Sequence, residues 1–143
     1  MSTQAHDEVR QLIERWQTAV RAKNLDAIMA YYAPDILAFD AIIQLQFKGK
    51  DAYREHWIYC NNMCSGPMLF DIDQLNIVAN GDIAFAHWLT HCGGTAENGE
   101  EMRSWMRTTA CYRKHNGQWQ AVHEHFSSPF DMETGKALFD AQP

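Results

Sequence analysis

The chain has 143 residues, of which 46% are hydrophobic and 21% are charged, and its formal net charge is −6. This length is typical of one domain with its own core, so we expect residues 1–143 to form a single domain. The acidic balance argues against a nucleic-acid partner, and the absence of an apolar run of ~20 residues argues against a membrane span.

The first part of the chain shows the spacing of helices. Apolar residues recur at three- and four-residue steps in the first segment, at Val9, Leu12, Ile13, Trp16 and Val20. This stripe predicts an amphipathic helix. Asn24 is a candidate cap for a second short helix over residues 25–32, and residues 36–40 predict a short strand. Helical spacing returns after Gly49 and ends before Ser65.

The rest of the chain favours strands. Asn-Gly occurs at residues 80–81, 98–99 and 116–117. Because this pair favours the two-residue turns of hairpins, it predicts four antiparallel strands, over about 68–79, 82–96, 101–115 and 118–128. Helices followed by an antiparallel sheet indicate an α+β fold with the helices on one face.

Two-residue turns also predict the register of this sheet. They place His87 opposite Ala110 and Ala110 opposite His123, on an apolar face that also carries Phe85, Leu89, Met106, Thr108 and His125. The opposite, outer face would then carry Trp88, Trp105, Val122 and Phe126, together with Arg107 and Glu124 as a cross-strand ion pair.

Four segments show a family resemblance: residues 24–28 (NLDAI), 31–35 (YYAPD), 49–52 (GKDA) and 117–127 (GQWQAVHEHFS). They resemble the nuclear transport factor 2-like superfamily, which includes ketosteroid isomerase and the SnoaL-like polyketide cyclases. The resemblance implies a cone-shaped fold, in which N-terminal helices pack on a curved antiparallel sheet and enclose one pocket. It also implies that Asp40 matches the general base of ketosteroid isomerase.

The chain departs from that enzyme at both oxyanion donors. Trp16 stands at the position of the helix 1 tyrosine, and the acid of the third strand falls at Thr109 or Ala110. Asp40 with pocket histidines instead resembles the Asp–His arrangement of the superfamily's dehydratases. A neutral imidazole can accept a proton near neutral pH while a carboxylate orients it.

These observations predict a pocket for a small hydrophobic molecule that contains a carbonyl group. Asp40, His123 and His87 are the candidate catalytic residues. The candidate substrate-binding residues are Trp16, Tyr53, Trp57, Phe85, Leu89, Met106, Thr108 and His125. The hypothesis is an isomerase, dehydratase or cyclase; the alternatives are a ligand-binding module without turnover and an oligomerisation domain.

We expect neither a cofactor nor a metal. The sequence has no glycine-rich phosphate-binding motif. In a strand, His123 and His125 point away from Glu124, so the three cannot chelate one ion, and a three-histidine site would need His87 as well. The four cysteines are interpreted as free thiols of a reducing compartment. Since acids stand near the N-terminus in place of a signal peptide, we expect a cytoplasmic location.

The outer sheet face predicts a homodimer. Trp88, Trp105, Val122 and Phe126 would expose more apolar area there than monomers usually do. The alternative is that residues 130–139 fold back and cover this patch.

Overall fold

The structure, a computed structural model, describes residues 4–143; residues 1–3, at the start of the segment expected to lack a signal peptide, lie outside the described part. Over the described residues the elements are α1 (Gln4–Arg21), α2 (Leu25–Met29), β1 (Tyr32–Phe39), β2 (Phe47–Lys48), α3 (Lys50–Asn61), β3 (Ser65–Asn80), β4 (Ile83–Thr95), β5 (Glu101–His115) and β6 (Gln118–Ser127). One sheet joins the six strands of residues 4–143 in the order β2-β1-β6-β5-β4-β3. Strand β1 runs parallel to β6, and the other pairs are antiparallel. The predicted α+β fold class is confirmed.

The helices form where the apolar spacing predicts them. The stripe on α1 is buried and packs mainly on β3. Asn24 caps α2, because its side-chain oxygen accepts a hydrogen bond from the Ala27 amide at 3.3 Å. The strand after α2 starts at Tyr32, earlier than predicted, because the Ala121 amide of β6 donates to the Tyr31 carbonyl at 2.8 Å and draws this segment into the sheet.

The middle turn differs from the prediction and changes the register of β4. Residues 96–100 form a five-residue loop between Thr95 and Glu101, where a two-residue turn at 98–99 was expected. His87 therefore pairs with Thr109, one residue away from the predicted partner. Because side chains alternate along a strand, this slip moves His87 to the outer face and turns Trp88 into the core.

A β-bulge exchanges the two faces of the sheet for the side chains in the second half of β6. Tyr112 pairs with Ala121 and Cys111 pairs with His123, so Val122 is an extra residue in β6. The Asn-Gly turn before β6 forms as predicted, between His115 and Gln118. Beyond the bulge, however, the predicted faces are exchanged.

Glu124 consequently lies in the core, where it is fully buried. The predicted Arg107–Glu124 ion pair on the outer face is wrong, and Arg107 donates to the Ser127 hydroxyl at 3.0 Å. Phe126 is also buried, so neither it nor Trp88 contributes to an outer patch. Trp105 stays on the outer side and stacks on His91 with ring centroids 4.4 Å apart.

The C-terminal segment follows the edge of β5. The Trp105 amide donates to the Phe139 carbonyl at 2.9 Å, at a point of β5 beyond the last residue that pairs with β6. The segment thus continues the sheet edge at this point. Within residues 4–143, the helices lack the combination of length and hydropathy that a membrane crossing requires.

Gly93 provides a test of the β4–β5 packing. A Cβ at this position would lie 1.8 Å from the Met102 carbonyl oxygen, which is backbone and cannot rotate away. We expect Gly93→Ala to lower the free energy of unfolding by more than ~3 kcal/mol in urea titrations.

Gly94→Ala is the matched control, because its added Cβ meets the Cys64 side chain, at 2.8 Å from Cβ and 3.0 Å from Sγ. We expect Gly94→Ala to lower the free energy of unfolding by less than Gly93→Ala does. Equal stabilities of the Gly93 variant and the wild type would contradict this register.

Candidate functional site

An apolar cavity of about 390 Å³ opens between α3, the sheet and the C-terminal segment. Its wall is unusually rich in sulfur, through Cys60, Met63, Cys64, Met68, Cys92, Met102 and Met106. Trp57, Phe70, Phe126 and Phe139 add aromatic surface. We call this cavity the sulfur-lined pocket. Polarizable thioethers and aromatic rings form a surface suited to an apolar ligand.

Asp40 brings a negative charge to this apolar wall. It follows β1, and its side chain is 11% exposed. The Tyr53 hydroxyl donates to Oδ2 at 3.1 Å, and His56 Nε2 lies 3.4 Å from Oδ1. Among the described residues that line the pocket, Arg103 also carries a charge, but its side chain is largely exposed and pairs with Glu101. Asp40 is therefore a fixed carboxylate that faces apolar space.

Cys60 completes a Cys–His–Asp group that lacks a reactive thiolate. Its Sγ lies 3.6 Å from His56 Nε2, the same nitrogen that faces Asp40. Burial, together with the charge of Asp40, raises the pKa of the Cys60 thiol to about 12. Since the thiolate is the nucleophilic form, Cys60 serves as an apolar wall residue.

Glu124 forms a second acidic centre behind Asp40. Tyr32 and Tyr53 each place a hydroxyl at its Oε2, at 2.7 and 2.8 Å. Within the described part of the chain, Oε1 has no hydrogen-bond partner. Burial raises the pKa of Glu124 to about 8, and the charge of Asp40 acts in the same direction, while the hydrogen bonds from Tyr32 and Tyr53 oppose the shift. The carboxyl group is thus mostly protonated at neutral pH.

The surroundings of Glu124 keep the phenols protonated. Burial is the largest cause that raises the pKa of Tyr31, Tyr32, Tyr53 and Tyr112 well above that of free tyrosine. The Tyr31 and Tyr112 hydroxyls are hydrogen-bonded to each other. Trp16 stacks on Tyr31 with ring centroids 4.8 Å apart. These phenols therefore stay protonated and do not form phenolates.

The predicted site residues separate into two groups. Trp57 and Met106 line the sulfur-lined pocket together with Asp40, and Trp16, Tyr53 and Thr108 are buried on the same side of the sheet. The outer face holds the other predicted residues, which are His87, His123, His125, Phe85 and Leu89.

The prediction that His87 and His123 lie side by side on the pocket face is wrong. His87 is exposed and contacts the Asn76 amide at 3.2 Å, and His123 Nδ1 lies 2.7 Å from the Leu37 carbonyl oxygen. The five-residue loop displaces His87, and the bulge at Val122 displaces His123. Neither His56 nor Glu124 was among the residues predicted for the site. His56 could have been found from its position one helical turn after Tyr53.

Asp40 also lines a second, more open cavity of about 600 Å³. Residues of the segment between β1 and β2 form one side of it, with His125, Phe126 and Phe139 on the other. Phe126 and Phe139 are shared with the sulfur-lined pocket. Asp40 therefore stands where the two cavities approach each other.

A family model described as a SnoaL-like domain matches residues 9–131. The chain belongs to the SnoaL-like domain family. This result confirms the resemblance found in the sequence, and no curated protein matches the chain.

Solved structures agree with the family assignment. An NTF2-like protein of unknown function from Pseudomonas putida KT2440 is 57% identical, with a TM-score of 0.92 and coverage of 100% of this chain and 99% of that one. A ketosteroid isomerase-like protein from Erwinia carotovora atroseptica is 20% identical, with a TM-score of 0.75 and coverage of 90% and 100%.

A putative calcium/calmodulin dependent protein kinase II association domain from Xanthomonas campestris is 18% identical, with a TM-score of 0.78 and coverage of 98% and 91%. At such identities, the Erwinia and Xanthomonas structures show a shared fold and not a shared activity.

The raised pKa of Glu124 predicts a stability change with pH. Its carboxyl group binds a proton more tightly in the folded chain, so its contribution to stability is complete below pH 4.5 and is lost as the pH rises to about 8. Glutamine keeps the shape but does not ionise. As the pH rises from 4.5 to about 8, we expect the free energy of unfolding of Glu124→Gln to increase by roughly 3–5 kcal/mol relative to that of the wild type, because one pKa unit corresponds to about 1.4 kcal/mol.

Urea unfolding across this pH range measures the difference. Glu14→Gln, on the exposed side of α1, is the control, and its curve should run parallel to that of the wild type. Parallel curves for Glu124→Gln as well would show that Glu124 ionises normally.

Proposed function

We propose that the chain is an enzyme that moves protons on a small hydrophobic carbonyl compound bound in the sulfur-lined pocket. The observation that carries the proposal is Asp40, a carboxylate that lines an apolar cavity, accepts a hydrogen bond from Tyr53 at Oδ2 and lies 3.4 Å from His56 Nε2 at Oδ1. A carboxylate placed in this way has few water molecules to compete with a carbon-bound proton.

Asp40 is the general base in this proposal. It takes a proton from the carbon next to the carbonyl group, the C–H bonding pair moves into the carbon framework, and the carbonyl oxygen becomes an enolate oxygen. Asp40 then returns the proton to carbon. A geometry of this kind contributes typically 10²–10⁴-fold to a rate.

One polar group on the pocket wall supports binding of the carbonyl oxygen. It is the Ser104 hydroxyl, which lies 3.5 Å from Cys92 Sγ. The hydroxyl is a hydrogen-bond donor, and Ser104 lies on β5, whereas Asp40 follows β1. We assign it to the position where negative charge develops on oxygen.

Binding without turnover is the second candidate. It is favoured by the residues at the two oxyanion positions of ketosteroid isomerase. Trp16 is buried and stacked on Tyr31, and Ala110 is a buried methyl group, so neither supplies a phenol or an acid to the pocket. Hydrogen exchange on a bound ketone separates this candidate from the enzyme.

A panel of cyclic and aromatic ketones in D₂O tests the proposal. We expect proton NMR to show that the enzyme replaces protons next to the carbonyl group with deuterium, and that Asp40→Asn lowers this rate at least ~100-fold. The melting temperature should stay unchanged or rise, because asparagine removes a charge from a site of low exposure.

Asp35→Asn is the matched control, since Asp35 lies in β1, the strand that Asp40 follows, but is exposed. Its exchange rate should equal that of the wild type. Ligand binding without exchange in any variant would establish the second candidate, and the absence of binding across the panel would contradict both.

We further propose that two copies associate through the outer sheet face. Val78, Phe85, Cys111 and His123 form one row across β3, β4, β5 and β6 on that face, and the first two are nearly half exposed. This row replaces the predicted set, of which Trp88 and Phe126 are buried.

We expect light scattering at micromolar concentration to give the mass of a dimer for the wild type and of a monomer for Phe85→Lys. Lysine would place a desolvated charge in the contact. Glu133→Lys, in the exposed C-terminal segment, is the control. A monomeric wild type would exclude the dimer.

A further inference from the structure

The Tyr53 hydroxyl lies between two carboxyl groups. Its oxygen is 3.1 Å from Asp40 Oδ2 and 2.8 Å from Glu124 Oε2. A phenol has a single proton and can donate it to one of these oxygens. The other short contact is satisfied only when that carboxyl group carries a proton and donates it to the phenol oxygen. One proton placed between Asp40 and Glu124 satisfies both contacts.

The surroundings decide where this proton rests. Asp40 is partly exposed, and His56 Nε2 lies 3.4 Å from its Oδ1. Glu124 is fully buried, and its Oε1 has no partner among the described residues. Because a buried charge is unfavourable unless it is compensated, the proton rests on Glu124. Tyr53 then accepts from Glu124 and donates to Asp40.

We propose that Glu124 is a proton store for Asp40, and that the two groups exchange one proton through the Tyr53 hydroxyl. In this exchange the O–H bond of Glu124 breaks as its proton passes to the Tyr53 oxygen. The original Tyr53 proton passes to Asp40 Oδ2. The products are a neutral Asp40, an intact Tyr53 and a Glu124 carboxylate, so the total charge does not change.

The groups around Glu124 allow this exchange in both directions. Tyr32, from β1, donates to Oε2 at 2.7 Å and stabilises the carboxylate form. Tyr53 and His56 come from α3, Asp40 follows β1, and the Tyr31–Tyr112 pair lies close enough for Glu124 to raise the pKa of both phenols. Since burial raises the pKa of Tyr53 well above its ordinary value, the phenol passes a proton on without becoming a phenolate.

This inference rests on the proposed function. While Glu124 holds the proton, Asp40 is ionised and can act as a base. After the exchange, Asp40 carries the proton and can act as an acid. One carboxyl group in the pocket can then serve both steps of an isomerisation or a dehydration without proton exchange with bulk water. Glu124 acts through Tyr53 and is thus a positioning residue rather than a catalytic one.

Carbon-13 NMR of labelled aspartate and glutamate carboxyl groups tests the inference without any substrate. In the wild type, we expect the Asp40 signal to shift at the pH where Glu124 ionises, about 8, because the proton shared through Tyr53 is then lost. Tyr53→Phe removes the connecting hydroxyl, so this step should disappear from the Asp40 signal. Glu124→Gln should remove it as well, which keeps the test valid if Tyr53→Phe does not fold.

Tyr32→Phe is the matched control. It also removes one hydrogen bond to Glu124 Oε2, but Tyr32 has no contact with Asp40 in the hydrogen bonds of the described chain. The step in the Asp40 signal should therefore move to higher pH and persist. An Asp40 titration that is the same in the wild type and in Tyr53→Phe would overturn the inference, as would a wild-type Glu124 that ionises in the normal acidic range.

The two proposals fail in different experiments. If no ketone exchanges its protons but the Asp40 signal shows the step near the pKa of Glu124, the proposed enzyme activity is refuted and the shared proton remains. If ketones exchange but this step is absent, only the proposed proton store is refuted.

Discussion

A carboxyl group in a protein core needs hydrogen-bond partners, and the site depends on how the fold meets this requirement for Glu124. The partners are two phenol hydroxyls from different elements, Tyr32 at the start of β1 and Tyr53 in α3. Their convergence on one oxygen fixes α3 against the junction of β1 and β6. Tyr53 then carries the same constraint to Asp40. A buried polar group that costs free energy when unpaired thereby defines the position of a catalytic candidate.

The pocket wall supplies the complementary property, a low local polarity. Its sulfur atoms and aromatic rings provide few hydrogen bonds to the Asp40 carboxylate, and electrostatic interactions there are stronger than in water. Cys60 illustrates the same effect, since burial keeps its thiol protonated although a histidine stands beside it. The wall thus lacks an anionic nucleophile, while the negative charge lies at Asp40, which accepts a hydrogen bond from Tyr53.

The sequence was sufficient for the fold class, the helices and the side of β5 that faces the core, because these follow from apolar spacing and from the turn at residues 116–117. It was not sufficient for β4 and the end of β6. An Asn-Gly pair inside a five-residue loop has the same local sequence as a tight turn, and the bulge at Val122 carries neither glycine nor proline. A shift by one residue moves every following side chain of a strand to the opposite face of the sheet. For this reason His87 and His123 were assigned to the wrong face and Glu124 to solvent. One signal was present: Tyr31, Tyr32 and Tyr53 lie in apolar segments, and their hydroxyls require a buried polar partner.

The C-terminal segment occupies the edge of β5 that β6 leaves free, and its Phe139 side chain helps to close the sulfur-lined pocket. Its attachment at this point is a backbone hydrogen bond, which does not depend on the side chain that the segment carries. The last residues of the chain can therefore vary without disturbing the acid pair or the sheet. Such an arrangement separates the evolution of ligand preference from that of the chemistry. Relatives can differ in the C-terminal segment, and thus in the ligands that fit the pocket, and still share the same acid pair.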